Sequence, residues 1–250
     1  MNKTIEIQKN HRTIREFKDK EISKEVMDEL FEVARRTATS NGMQTYSIIR
    51  IKDKNLKEKI AKVCNQEYVK RAPELLIFIV DQYRNSQIAM EKGLTIEDTN
   101  DLDKFFQGFT DASLAAQNMV IGGESLGLGA NYLGSILNDS KEICKLLDLP
   151  KLTFPVVGLG LGYPNQEPML KPRMDMTLRV FEDKYKKFTN YTKELEEYDE
   201  IMQTYYDLRD ANRRVDSFTD QVKTKSELTI EKRKEILNAI KDQGFDLMLE

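Results

Sequence analysis

The residues best equipped for chemistry stand near the start of the chain, in the run His11-Arg12-Thr13-Ile14-Arg15. Arginine donates paired hydrogen bonds from a planar fork and keeps its charge, which suits phosphate. Thr13 adds a neutral donor, and His11 is the only histidine. Alone, these five residues fit a solvated basic surface as well as a phosphate site. A second pair of cations, Lys171 and Arg173, flanks Pro172, whose fixed backbone angle holds them near each other. Amide- and hydroxyl-rich loops are expected at Thr39-Ser40-Asn41 and at Tyr132-Leu133-Gly134-Ser135.

Familiar catalytic sets are missing. One histidine and two cysteines, Cys64 and Cys144, give no zinc spacing, and no nucleophile elbow or phosphate-binding loop motif occurs. Gly158, Gly160 and Gly162 are spaced G-x-G-x-G and lead into a proline-bearing loop instead of a helix. That context excludes a dinucleotide-binding turn and leaves a glycine-bearing core strand, where something packs close to the backbone. Cationic sites without a protein acid, base or nucleophile point to a phosphorylated cofactor that carries the chemistry itself. No catalytic side chain and no metal ligand is therefore expected.

The elements that must position these residues can be read from periodicity. The chain has 250 residues and a net charge of -3. Its length suffices for a sizeable core, and its charge disfavours bulk nucleic-acid binding. Free thiols, no apolar leader and no membrane-length run predict a cytoplasmic protein. A helix capped by Ser23 is expected over 23–36, with Val26, Leu30, Val33 and Thr37 on one face and Met27, Phe31 and Ala34 beside them. Strands are expected over Tyr46–Ile51, Leu75–Val80, Thr153–Leu161 and Leu178–Phe181, with a helix over Leu56–Val63. The run Leu75–Val80 is continuously apolar, so both its faces should be buried. Residues 82–101 read as a polar excursion. A long helix should begin at Leu102, turn small-residued after Ala112, and end at Gly127 and Gly129. A short helix is expected over 140–147. The charged tail, with helices over Lys193–Arg209 and Ile230–Gln243, has an apolar stripe too thin to stand alone.

Taken together, His11-Arg-Thr-Ile-Arg15, Thr39-Ser-Asn41 with Gln44, the run Gln117–Gly129, Tyr132-Leu-Gly-Ser135 and Lys171-Pro-Arg173 resemble the oxygen-insensitive NADPH nitroreductases and flavin reductases. The motifs fall in family order from residue 4 to about 180, and Tyr205-Tyr206-x-x-Arg209 with Asn212-Arg213-Arg214 extends the likeness to about 220. The resemblance implies an α+β nitroreductase-like fold: a mostly antiparallel sheet flanked by helices, in an intertwined homodimer. It implies one FMN-binding domain over 1–250, with 190–250 a helical extension embracing the partner. His11, Arg12, Thr13 and Arg15 would line FMN, with Arg15 near the ring system. Thr39, with Ser40 and Asn41, would reach the phosphate or ribityl chain, and Gln66 would bond the ring. Tyr132, Leu133, Gly134 and Ser135 would pass backbone groups across it, while Lys171 and Arg173 complete the anion site. Arg209 and Arg213 would recognise the 2′-phosphate of NADPH. The implied activity is hydride transfer from NADPH through the flavin N5 to small-molecule acceptors: nitroaromatics, quinones or free flavin. The alternative is a protein that sequesters or senses flavin with little turnover. The sequence departs from the family pattern at Ala38, Thr39, Ser135 and Leu137.

Overall fold

Asn2, Ser23, Asp53, Asp81, Asp101 and Asp139 each accept a hydrogen bond from a backbone amide two or three residues on, and each opens a helix. Short polar side chains thus satisfy donors that a helix start leaves unpaired. The computed structural model describes residues 2–209 and 216–247, the side chains of 206–209 excepted. In chain order it runs α1 (Lys3–Lys9), α2 (Lys24–Arg35), β1 (Tyr46–Ile51), α3 (Lys54–Cys64), β2 (Glu74–Asp81), α4 (Gln82–Glu91), α5 (Leu102–Ser125), β3 (Gly129–Leu133), α6 (Ser140–Leu146), β4 (Thr153–Gly162), α7 (Tyr191–Glu194), α8 (Glu196–Arg209), α9 (Phe218–Glu227), α10 (Glu231–Lys234) and α11 (Ile236–Asp242).

The chain divides into two units, residues 1–168 with 230–250, and residues 169–229. In the first, four antiparallel strands form a sheet in the order β1-β2-β4-β3. Leu75 to Val80 are buried on both faces of β2, as their apolar continuity requires. α5 packs against this sheet and against α2. Phe105 of α5 meets Phe154 and Phe245 edge-on, with centroids 5.5 and 5.1 Å apart. In the second unit, α8 and α9 are joined where Thr219 donates to Asp199, and Tyr198 packs on Phe218 with centroids 5.2 Å apart.

Several expectations need correction. α2 buries Met27, Leu30 and Ala34, a stripe one residue round from the expected face. Residues 82–101 open with α4, whose Gln82 and Ser86 are buried. Asn131 to Leu133 are strand, not loop, because β3 pairs with β4 from Gly129↔Gly162 to Leu133↔Gly158. The expected strand at 178–181 is absent; Met176–Leu178 form a 3-10 turn, and Phe181 joins Tyr185 and Phe188 in an aromatic cluster. The polar stretch between the two tail helices holds α9.

Candidate functional site

After α1 the chain extends alongside β3. Thr13 bridges Ala130 in parallel, and Ile14 N–H donates to Ala130 O at 2.8 Å. A Cβ on Gly129 would lie 2.5 Å from Ile14 Cγ1, so this close approach requires glycine. Gln166 Oε1 accepts from the amides of Arg15 (3.0 Å) and Glu16 (2.7 Å) and fixes the backbone there. With Ile14 locked in the core, the Arg15 guanidinium sits 5.7 Å from the Tyr68 ring centroid.

His11 and Arg12 are more occupied than their types suggest. His11 Nδ1 lies 2.6 Å from Glu124 Oε1, which assigns the proton to Nδ1 and leaves Nε2 as the free ring nitrogen. Arg12 donates to Pro168 O and Asn10 O, both at 2.9 Å. It lines a cleft of about 480 Å3 that also holds the carboxylates of Glu124 and Glu167.

The end of β3 offers a different surface. Leu133 is buried against Gly158, while a Cβ on Gly134 would meet nothing within 4 Å. Ser135 Oγ donates to Gln66 Oε1 at 2.8 Å. That bond orients the amide, and Gln66 Nε2 is left as its free donor among the described residues. Gln66 is no helix-surface residue: it precedes a 3-10 turn over Glu67–Arg71 that also carries Tyr68. Tyr132 OH donates to Gln117 Oε1 at 3.0 Å, and burial pushes its phenol well above the ordinary range. Exposed backbone at Gly134 and the Gln66 amide thus stand near two further donors: Arg15 lies over Tyr68, two residues on from Gln66, and Thr13 bridges Ala130 on the strand that leads to Gly134. The set fits a flat, acceptor-rich ring bearing an anionic tail. It contains no activated nucleophile: burial pushes the Cys64 thiol up, and His11 Nδ1 is held by Glu124.

Thr39, Ser40 and Asn41 lie elsewhere. Their loop has left-handed backbone at Asn41 (φ 51°), Gly42 (φ 71°) and Gln44 (φ 53°), costly for the two non-glycines. A residue that sequence reading missed holds it in place. Asp111, fully buried on α5, accepts from Ser40 N at 2.8 Å, Thr45 N at 3.2 Å and Thr45 Oγ1 at 3.0 Å. Its signal in the sequence is a carboxylate placed between Gly108 and Ala115, on the small-residue stripe of α5. Glu124, beside His11, lies on the same helix about 20 Å further along its axis, at 1.5 Å per residue. One chain therefore does not bring the 39–41 loop to the His11–Arg15 face.

Lys171 and Arg173 belong to the second unit. There Arg173 donates to Lys171 O at 3.1 Å and Pro172 O at 3.2 Å, and Tyr198 OH donates to Pro172 O at 3.3 Å. Arg209 ends α8, but its side chain and all of Arg213 lie outside the described residues. The described residues hold no group of acids, cysteines or histidine suited to a metal, and no helix long and apolar enough to cross a membrane.

Comparison with known proteins shows the family. Residues 9–163 match the model of the nitroreductase family, and residues 171–248 match that of its C-terminal domain. The FMN reductase (NADPH) of Bacillus subtilis is 34% identical over 250 residues, covering 98% of this chain and 99% of that one. The oxygen-insensitive NADPH nitroreductase of Salmonella typhimurium is 35% identical over 246 residues, with 98% and 99% covered. Among solved structures, B. megaterium NfrA2 superposes with a TM-score of 0.92 at 29% identity over the full length of both chains. The NADPH:FMN oxidoreductase of Vibrio harveyi, solved with NAD+, gives 0.86 at 28% identity, covering 98% and 99%. The chain belongs to the nitroreductase family and is an NAD(P)H-dependent oxidoreductase.

Proposed function

We propose that the protein binds FMN and uses it to pass reducing equivalents from NADPH to nitroaromatics, quinones or free flavin, by a ping-pong mechanism. The observation that carries this reading is the Ser135–Gln66 bond beside the open backbone of Gly134. A flat ring laid against Gly134 would meet the Gln66 amide on one edge and the backbone of Leu133 to Ser135 on its face. Arg15, stacked near Tyr68, would supply positive charge, and Thr13 a neutral donor. When bound, FMN supplies hydride acceptance and donation at N5. The protein's part is to orient the ring, leave one face open to the two substrates in turn, and offer no competing nucleophile.

The reading includes a homodimer. The 39–41 loop lies too far along α5 to reach the Arg15 face of its own chain, so a second copy must supply it if Thr39, Ser40 and Asn41 hold the phosphate or ribityl chain. Lys171 and Arg173 are assigned to the same anion, and Arg209 with Arg213 to the 2′-phosphate of NADPH. The unpaired thiols of Cys64 and Cys144 suit a reducing cytoplasm.

Anaerobic mixing of the yellow holoenzyme with NADPH tests the proposal. The flavin absorbance should bleach within one turnover time and return when a nitroaromatic or quinone is added. Steady-state plots at several acceptor concentrations should be parallel. A bound flavin that NADPH does not bleach would identify a flavin-sequestering protein instead.

A further inference from the structure

Beyond Arg15, the chain enters a second cleft of about 570 Å3, and none of the residues assigned to the flavin lines it. Its size falls within the range of small-molecule sites. Lys18, Lys20 and Lys24 line it, together with Arg50 of β1 and Lys52 just past its end. Lys54 and Arg71 complete it, against the carboxylates of Asp19, Glu21 and Glu74. Seven cations thus face three acids in a chain whose net charge is -3, so this cleft reverses the sign of the whole.

The pairing around the cleft reduces that excess without removing it. Glu74 is buried, and its Oε1 accepts from both Arg50 and Lys52 at 2.6 Å. Two cations share one carboxylate, which leaves the floor of the cleft positive. Lys20 places its ammonium 4.0 Å from the Tyr163 ring centroid. Lys18 and Lys54 make no ion pair among the described residues. Lys24–Asp28 and Arg71–Glu16 are exposed pairs, which an incoming anion can displace at little cost.

Helix ends add to the field. Lys24 is the first residue of α2 and Lys54 the first of α3, helices of 12 and 11 residues. A cation at a helix start opposes the macrodipole, an effect that the capping carboxylate of Asp53 offsets on α3 and Glu25 in the first turn offsets on α2. Stability alone would place acids at these two positions. Lys24 and Lys54 nevertheless both line the cationic cleft.

We propose that this cleft binds a small polyanion carrying at least two phosphate groups. The cations come from three separate segments, 18–24, 50–54 and Arg71, so a chain of phosphates can engage more of them at once than a single phosphate can. The net negative charge of the whole chain disfavours a long nucleic acid.

The test is calorimetric titration of the FMN-loaded enzyme with sodium tripolyphosphate at low salt, with orthophosphate and ATP as separate arms. Tripolyphosphate should bind once per protomer, at least tenfold more tightly than orthophosphate, and weaken as salt rises. ATP binding still more tightly would identify a nucleotide as the source of the phosphates; ATP binding no better would identify the phosphate chain alone. The double variant K18E/K54E should lose at least tenfold in affinity with FMN content unchanged. On the wild type, tripolyphosphate should shield Lys18 and Lys54 from acylation, read by peptide mass mapping. No binding, orthophosphate binding equally well, an unaffected double variant, or shielding confined to other lysines would each overturn the proposal.

Discussion

Asp111→Asn isolates the contact that anchors the 39–45 loop. The carboxylate serves both ends of that loop: Oδ1 accepts from Ser40 N, and Oδ2 from Thr45 N and Oγ1. An asparagine keeps one acceptor oxygen. If it faces Thr45, the amide NH2 confronts the Ser40 N–H, donor against donor. One charge-assisted bond is then lost, about 1.5–3 kcal/mol, and the two remaining bonds lose the charge that strengthened them. Burying a neutral amide costs less than burying a carboxylate, which offsets part of this. The expected net loss is about 2–4 kcal/mol, a large share of the roughly 5–15 kcal/mol that holds a typical domain together. Urea unfolding at one fixed protein concentration reads it, since a dimer's stability depends on concentration. FMN affinity, measured by fluorescence of released flavin, should fall in parallel, because Asn41 and Gln44 hold left-handed backbone only while the loop is anchored. A variant within about 0.5 kcal/mol of wild type refutes the anchoring argument, that being the scatter of ordinary surface changes. A destabilised variant with unchanged FMN affinity refutes the loop's role in the site.

Ser135→Ala frees the Gln66 amide to rotate, so FMN affinity should fall by about 0.5–1.5 kcal/mol, the net worth of one neutral hydrogen bond, while thermal stability of the flavin-free protein changes little. Burial pushes the Cys144 thiol up to about 12 and also raises that of Cys64, so a thiol reagent at mildly alkaline pH should label neither until the protein unfolds. Burial by itself would raise the Glu74 carboxyl, but hydrogen bonds from Arg50 and Lys52 outweigh it and hold the group below its ordinary value of 4.5. Its contribution to stability is therefore present above that value and is lost as pH falls through the lower folded-state value. Acid unfolding of Glu74→Gln should show a shallower pH dependence than wild type.

Local chemistry was legible in the sequence because it depends on neighbours a few residues away. Ser23 caps α2, the apolar run Leu75–Val80 fills the centre of the sheet, and the helix from Leu102 runs to Ser125. The glycines of β4 sit where packing is close, as a Cβ on Gly160 would lie 2.6 Å from Asn131 Oδ1. The missing nucleophile and the two cationic motifs pointed only to a phosphorylated cofactor; the nitroreductase family came from the resemblance of five ordered motifs, and family comparison bears that resemblance out. Tertiary structure decided everything that rests on contacts distant in sequence. Residues 131–133 read as loop because their strand character comes from β4, some thirty residues away in the chain. Asp111 reads as an unexplained charge on a helix until the 40–45 loop folds over it, more than sixty residues from its own position. Pairing likewise sorted the basic residues. Arg12 is drawn to two backbone carbonyls, while Arg15 remains poised over Tyr68. Lysines and arginines that form no motif in the sequence come together from three segments on a single cleft. A sequence specifies which side chains carry charge; only the fold determines which of those charges meet one another and which are left facing a ligand.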